Sequence, residues 1–103
     1  MSQAERDNVH RAKLNLETSQ IAWKELQRYF ASGVVRQVSD DLDLVDVAFQ
    51  ISENNVQQIA AWLEQQKLQL VSDEQARQWW EEDALLWAVV VSPWVLVQAR
   101  VLH

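Results

Sequence analysis

The chain contains no cysteine, so neither a disulfide framework nor thiolate chemistry is open to it. That absence fits a reducing compartment. Glycine occurs once, at Gly33, which rules out a glycine-rich phosphate loop and the glycine that a calcium loop needs. Histidine is nearly as scarce. His10 and His103 share no helical face with a second ligand, and there is no HExxH pattern and no nucleophile elbow. The opening MSQAERDNVHRAKLNLE has no apolar stretch of the kind a secretory signal requires. The longest apolar run is broken by Pro93, Gln98 and Arg100, and it falls short of the roughly 20 residues of a membrane span. The expectation is a non-enzymatic chain with no catalytic residue, no cofactor, no metal, no membrane contact and a cytoplasmic location.

Bases are few beyond Arg36. Residues 1–36 hold six bases against four acids, a net of +2, whereas residues 37–103 hold three against eleven, a net of −8. An acidic domain repels phosphate backbones, so nucleic acid is not the expected partner. Asp40, Asp41, Asp43 and Asp46 lack the spacing of a calcium loop and read as caps and solubilising charge. Glu81, Glu82 and Asp83 read as a solvated helix end that opposes the helix dipole.

Apolar residues are plentiful, at 49% of the 103 residues, which places the chain among single-domain globular proteins. Everything must be organised around Trp87 to Leu102, WAVVVSPWVLVQARVL. This valine-rich run reads as buried strand material. Val95, Val97, Ala99 and Val101 alternate with Trp94, Leu96, Gln98 and Arg100, predicting one buried face and one mixed face. Ser92-Pro93 lacks the glycine or asparagine of the common hairpin turns, so a bend, a bulge or an edge position is expected there.

Upstream, Leu14, Ile21, Leu26, Tyr29 and Phe30 lie near a helical stripe from Ala12 to Ala31, closed by Gly33. Thr18 and Ser19 offer a second start for that helix. Trp23 is offset from the stripe and is placed at its edge, where its N–H meets a partner. Residues 1–11 are expected to form a loosely ordered tail. Val34 to Val38 reads as a short strand. Leu42 to Ser52 fits both a period of two and a helical face, and the caps before it favour helix. After Asn54-Asn55 a helix is clear, with Val56, Ile59, Ala60 and Leu63 as its inward face and Trp62 beside them. Leu68 to Val71 is a second short strand. Ser72 and Gln75 then form a capping box for a helix that turns Ala76, Trp79 and Trp80 inward.

Trp23-x-x-Leu26, LDLVDVA from Leu42 to Ala48, Ala61-Trp62-Leu63 and LWAVVVSPWVLVQ from Leu86 to Gln98 resemble a bacterial family known only as domain of unknown function 2288. The resemblance runs from about Leu14 to Gln98 and implies a small bacterial domain, with no activity or site residue to carry over. That family often closes its middle helix with a glycine near Gln66, and this chain does not.

The fold class that follows is α+β, a small single domain over residues 1–103 with three to four helices on a small sheet. Its order is helix-strand-helix-helix-strand-helix-strand-strand, which is similar to a winged helix. In that reading the helix after Asn55 is the recognition helix, and Gln57, Gln58, Gln65 and Gln66 are its readers of base edges. Lys67 is the lone base near them. Six tryptophans are far more than ordinary usage, and Trp is enriched at contact surfaces. Core packing accounts for Trp62, Trp79 and Trp87. Neighbours on a helix are 100° apart, so Trp79 and Trp80 cannot both point inward. The candidate interaction surface is Trp80, Trp94, Trp79 and Leu96, for a protein partner or a second copy of the chain. The alternatives are a winged-helix-type nucleic-acid-binding regulator, and a small enzyme or metal-binding protein.

Overall fold

The computed structural model describes residues 2–99. The expectations for Arg100 to Leu102 and for His103 lie outside them. The elements run α1 (Gln3–Glu17), β1 (Ser19–Ala22), a 3-10 turn (Trp23–Leu26), α2 (Gln27–Ala31), β2 (Val35–Val38), α3 (Leu44–Ser52), α4 (Val56–Glu64), β3 (Leu68–Leu70), α5 (Asp73–Glu81), β4 (Leu85–Val91) and β5 (Trp94–Gln98). From α2 onward the order is the one read from the sequence, and the class is α+β.

One five-stranded sheet, ordered β1-β4-β5-β2-β3, holds the domain together. β4 and β5 form an antiparallel hairpin, and β5 pairs parallel to β2 on its other side. The central strand is therefore covered on both faces. Leu96 and Trp94 look toward a core shared with Leu14 of α1, Val47, Ala48 and Phe49 of α3, and Trp62 of α4. Val95 and Val97 look the opposite way, into a second core with Trp23, Leu26, Val71, Ala76 and Trp79. The sequence predicted one buried and one mixed face for β5; both are buried, because helices lie on each side of the sheet.

Further expectations change. The tail predicted for residues 1–11 is helical from Gln3, because the Ser2 hydroxyl accepts the Glu5 N–H and Gln3 bonds Asp7 one turn on. The long helix predicted over Ala12 to Ala31 ends at Glu17, and Ser19–Ala22 pairs with β4 as an edge strand. Trp23 is fully buried rather than at an edge, and its indole N–H meets no acceptor among the described residues. Its ring stands edge-on to Phe30 and Trp79, with centroids 5.2 and 5.1 Å away. Ser92-Pro93 does close a two-residue hairpin, with Val91 opposite Trp94. The peptide before Pro93 is cis, the type VI arrangement, which needs neither glycine nor asparagine.

Helices α2 to α5 stop in the same way. Gly33, Asn54, Gln66 and Asp83 all sit at positive φ, between 52° and 76°. In each case that residue's N–H and the next one reach back to the last turn, as Gln66 does to Leu63 O and Lys67 to Trp62 O. Nothing surrounds Gly33 closely enough to obstruct a Cβ, so its backbone angle alone accounts for the glycine. At Gln66 a residue with a side chain holds this left-handed conformation. Gln98, buried at the end of β5, ties the β2–α3 loop to the sheet. Its amide nitrogen donates to Ser39 O and Leu42 O, each at 2.8 Å.

Two stability measurements follow. Gln66→Gly is expected to stabilise the domain by about 0.5–1 kcal/mol by relieving a left-handed side-chain residue, read as a higher urea midpoint. Gln98→Leu is expected to cost about 1–3 kcal/mol, because two partly buried carbonyls lose their donor, read from the same melts.

Candidate interaction surface

The predicted surface residues separate into two kinds. Trp79 and Leu96 are 4% and 0% exposed, so neither belongs to a surface of the folded chain. Leu96 lies mid-strand under α3, and Trp79 is the inward member of the Trp79-Trp80 pair. Trp80 takes the outward direction at 48% exposure, with Lys24 Nζ 5.1 Å from its ring and bonded to Asp83 at 3.6 Å. Trp94 is half-buried at the hairpin end of β5.

Trp94 leads to a larger surface that sequence periodicity did not single out. The Arg36 guanidinium lies 4.8 Å over the Trp94 ring. Arg36 in turn stands directly opposite Leu70 across the β2–β3 pairing, and Leu70 is 61% exposed. These three side chains form a row on the sheet face that carries α3 and α4. On the same sheet face, α4 turns outward three of the four residues predicted to face in. Trp62 is the buried anchor of α4, and Ile59 is partly buried against the same core as Trp94. Val56 and Leu63 are 64% and 46% exposed, and Ala60 between them is exposed too. Their i, i+4, i+7 spacing makes one apolar stripe along the helix. The periodicity was real, but the bulk of Trp62 decided which side the core took.

β3 is an edge strand: among the described residues it pairs with β2 alone. Ser39 N–H donates to Lys67 O at 2.8 Å in that register. Bonded pairs alternate along an antiparallel ladder, so Gln69 bonds inward to Gln37, and the main-chain groups of Leu68 and Leu70 point to the open edge. Charge is sparse here. Between Asn54 and Leu70 only Glu64 and Lys67 are charged, and Lys67 Nζ is 2.7 Å from Asp41 Oδ2. The Lys67 ammonium, with the Ser39 hydroxyl, holds the Asp41 carboxyl below its ordinary range.

Two polar constellations lie elsewhere. His10, expected in a loose tail, sits in α1 with Nε2 3.3 Å from Ser52 Oγ and Nδ1 3.8 Å from Glu53. Ser52 donates its proton to Phe49 O at 2.7 Å. The trio therefore works as a clasp between α1 and α3 rather than as an activated nucleophile. A cleft of about 180 Å³ opens where α1 and α3 meet β4 and β5, lined by Asn15, Thr18, Asp43, Trp87 and Gln98 among others. Gln98 in its wall is engaged with backbone carbonyls, and Asp43 caps α3 through Val45 N–H, whereas the buried indole N–H of Trp87 meets no acceptor among the described residues. Among the described residues no group of three or more metal-ligating side chains converges. No helix among them is long and apolar enough to cross a membrane.

No curated protein matches the chain. Among solved structures it is similar to PA1075 from Pseudomonas aeruginosa, determined in solution by NMR, at 41% identity and a TM-score of 0.78, covering 100% of this chain and 99% of that one. The model of the protein family of unknown function DUF2288 matches residues 9–99, and the chain belongs to that family.

Proposed function

We propose that this domain is a non-enzymatic interaction module that binds a protein through the exposed flank of α4, the β3 edge and the Leu70–Arg36–Trp94 row. The observation that carries the reading is the outward stripe of Val56, Ala60 and Leu63 on a helix that packs on the same sheet face as exposed Leu70. Apolar groups scattered singly over a surface call for no explanation, whereas an apolar helix stripe and an unpaired strand edge on one side of the sheet are costly to leave in water. The near absence of charge from Asn54 to Leu70 matches the depletion of charged residues found at the centre of interfaces. Trp94, with Arg36 above it, supplies the residue types that dominate binding energy.

The test is co-purification of tagged full-length protein from its native host, wild type against Leu63→Glu. A protein recovered stoichiometrically with the wild type, the host's own untagged copy of this chain included, and lost from a folded Leu63→Glu variant supports the reading. Equal recovery from both, or none from either, sinks it.

The second reading, a winged-helix nucleic-acid binder, draws on the order of elements from α2 to β5. Against it, α4 carries no base, and the one beside it is bonded to Asp41. Binding driven by phosphate contacts is strongest at low salt, so no retardation of duplex DNA is expected in a low-salt gel shift. A salt-sensitive shift lost on Gln57→Ala would reverse the preference.

A further inference from the structure

We infer that the partner of the α4–β3 surface is a second copy of this chain, joined across β3 by a two-fold axis at Gln69. This rests on the interaction reading above and names its occupant.

Three observations single out a second copy. First, an open strand edge is satisfied by another extended strand. β3 is such an edge, and its pattern is self-complementary. With Leu68 and Leu70 presenting their main-chain groups outward and Gln69 bonded inward, an antiparallel partner of the same sequence sets Leu68 opposite Leu70 of the second copy. Both then exchange bonds, and Gln69 faces its own counterpart on the axis.

Second, in a two-fold interface a charge close to the axis meets its own copy, so the strip along the axis has to be nearly neutral. The chain as a whole carries −6, yet Asn54 to Leu70 carries one acid and one base. Third, β3 is short and follows Lys67, which is paired with Asp41, but the strand itself carries none of the side chains that guard an edge. It has no proline, no lysine and no carboxylate, and it presents a 61% exposed leucine. Leu70 and α4 lie on the same face of the sheet, so the two α4 helices flank the axis together. The exposed stripes of Val56, Ala60 and Leu63 are thereby brought within reach of each other, and the joined sheet has ten strands.

The experiment is sedimentation equilibrium of the full chain over a wide concentration range, with two variants checked for fold by circular dichroism and amide NMR. Leu63→Glu places a like charge on both sides of the axis. Leu70→Pro removes an outward N–H while sparing the bonds to β2. The wild type is expected to pass from the 12.0 kDa chain to twice that mass, and each variant to weaken the association by about tenfold or more.

A wild type that stays monomeric at every concentration overturns the inference, as does a dimer that neither variant weakens. The first outcome leaves the broader reading intact if a different protein is still lost on Leu63→Glu. If no protein is lost either, both readings fall.

Discussion

Dry burial of β5 on both faces is the constraint from which the architecture follows. A strand flanked by β4 and β2 has no edge of its own. Its side chains must alternate between two separate apolar environments. Leu96 and Trp94 require cover on one side, and Val95 and Val97 on the other, so a single layer of helices cannot suffice. The chain supplies α1, α3 and α4 to one face and the 3-10 turn with α5 to the other. Five of the six tryptophans make sense in this setting, because a small domain with two cores needs bulky side chains to fill both. Trp23 and Trp79 meet edge to face in one, and Trp62 anchors the other.

How far the sequence could be read depended on whether a signal was local. Caps are local, and the hydroxyl of Ser72 does accept the Gln75 N–H as its spacing predicts. Leu42 to Ser52 resolved to helix for a related reason, with Asp43 rather than an earlier acid as the cap. The same kind of signal was present and overlooked at the start of the chain, where Ser2 and Glu5 have the spacing of a capping box. β1 was hidden by coincidence. Ile21, Leu26 and Phe30 fall near helical spacing although a strand and a 3-10 turn separate them, and Ser19-Gln20 has no strand character of its own. Its identity comes from pairing with Leu86 to Ala88, a partner far along the chain.

The candidate surface was less legible than the fold. Trp94 was visible as an excess aromatic on a mixed pattern, but its neighbours Arg36 and Leu70 join it only through the strand register. Periodicity found the α4 stripe and assigned it to the wrong environment. A 3.6-residue repeat fixes which residues share a side and is silent about which side meets the core. Trp62 decided that, with a larger apolar area than Val56 or Leu63 can offer. Where one helix carries two apolar directions, the outward one is the more informative about contacts with other molecules.

The connectivity of the sheet has a kinetic consequence. Among the described residues only the β4–β5 hairpin joins strands through a tight turn; β2 and β3 pair across two helices, and β1 reaches β4, and β2 reaches β5, across most of the domain. Loop closure over such distances is the slow part of assembly. The hairpin closes the shortest loop in the sheet, whereas the pairings of β1 and β2 wait on strands that lie much later in the chain.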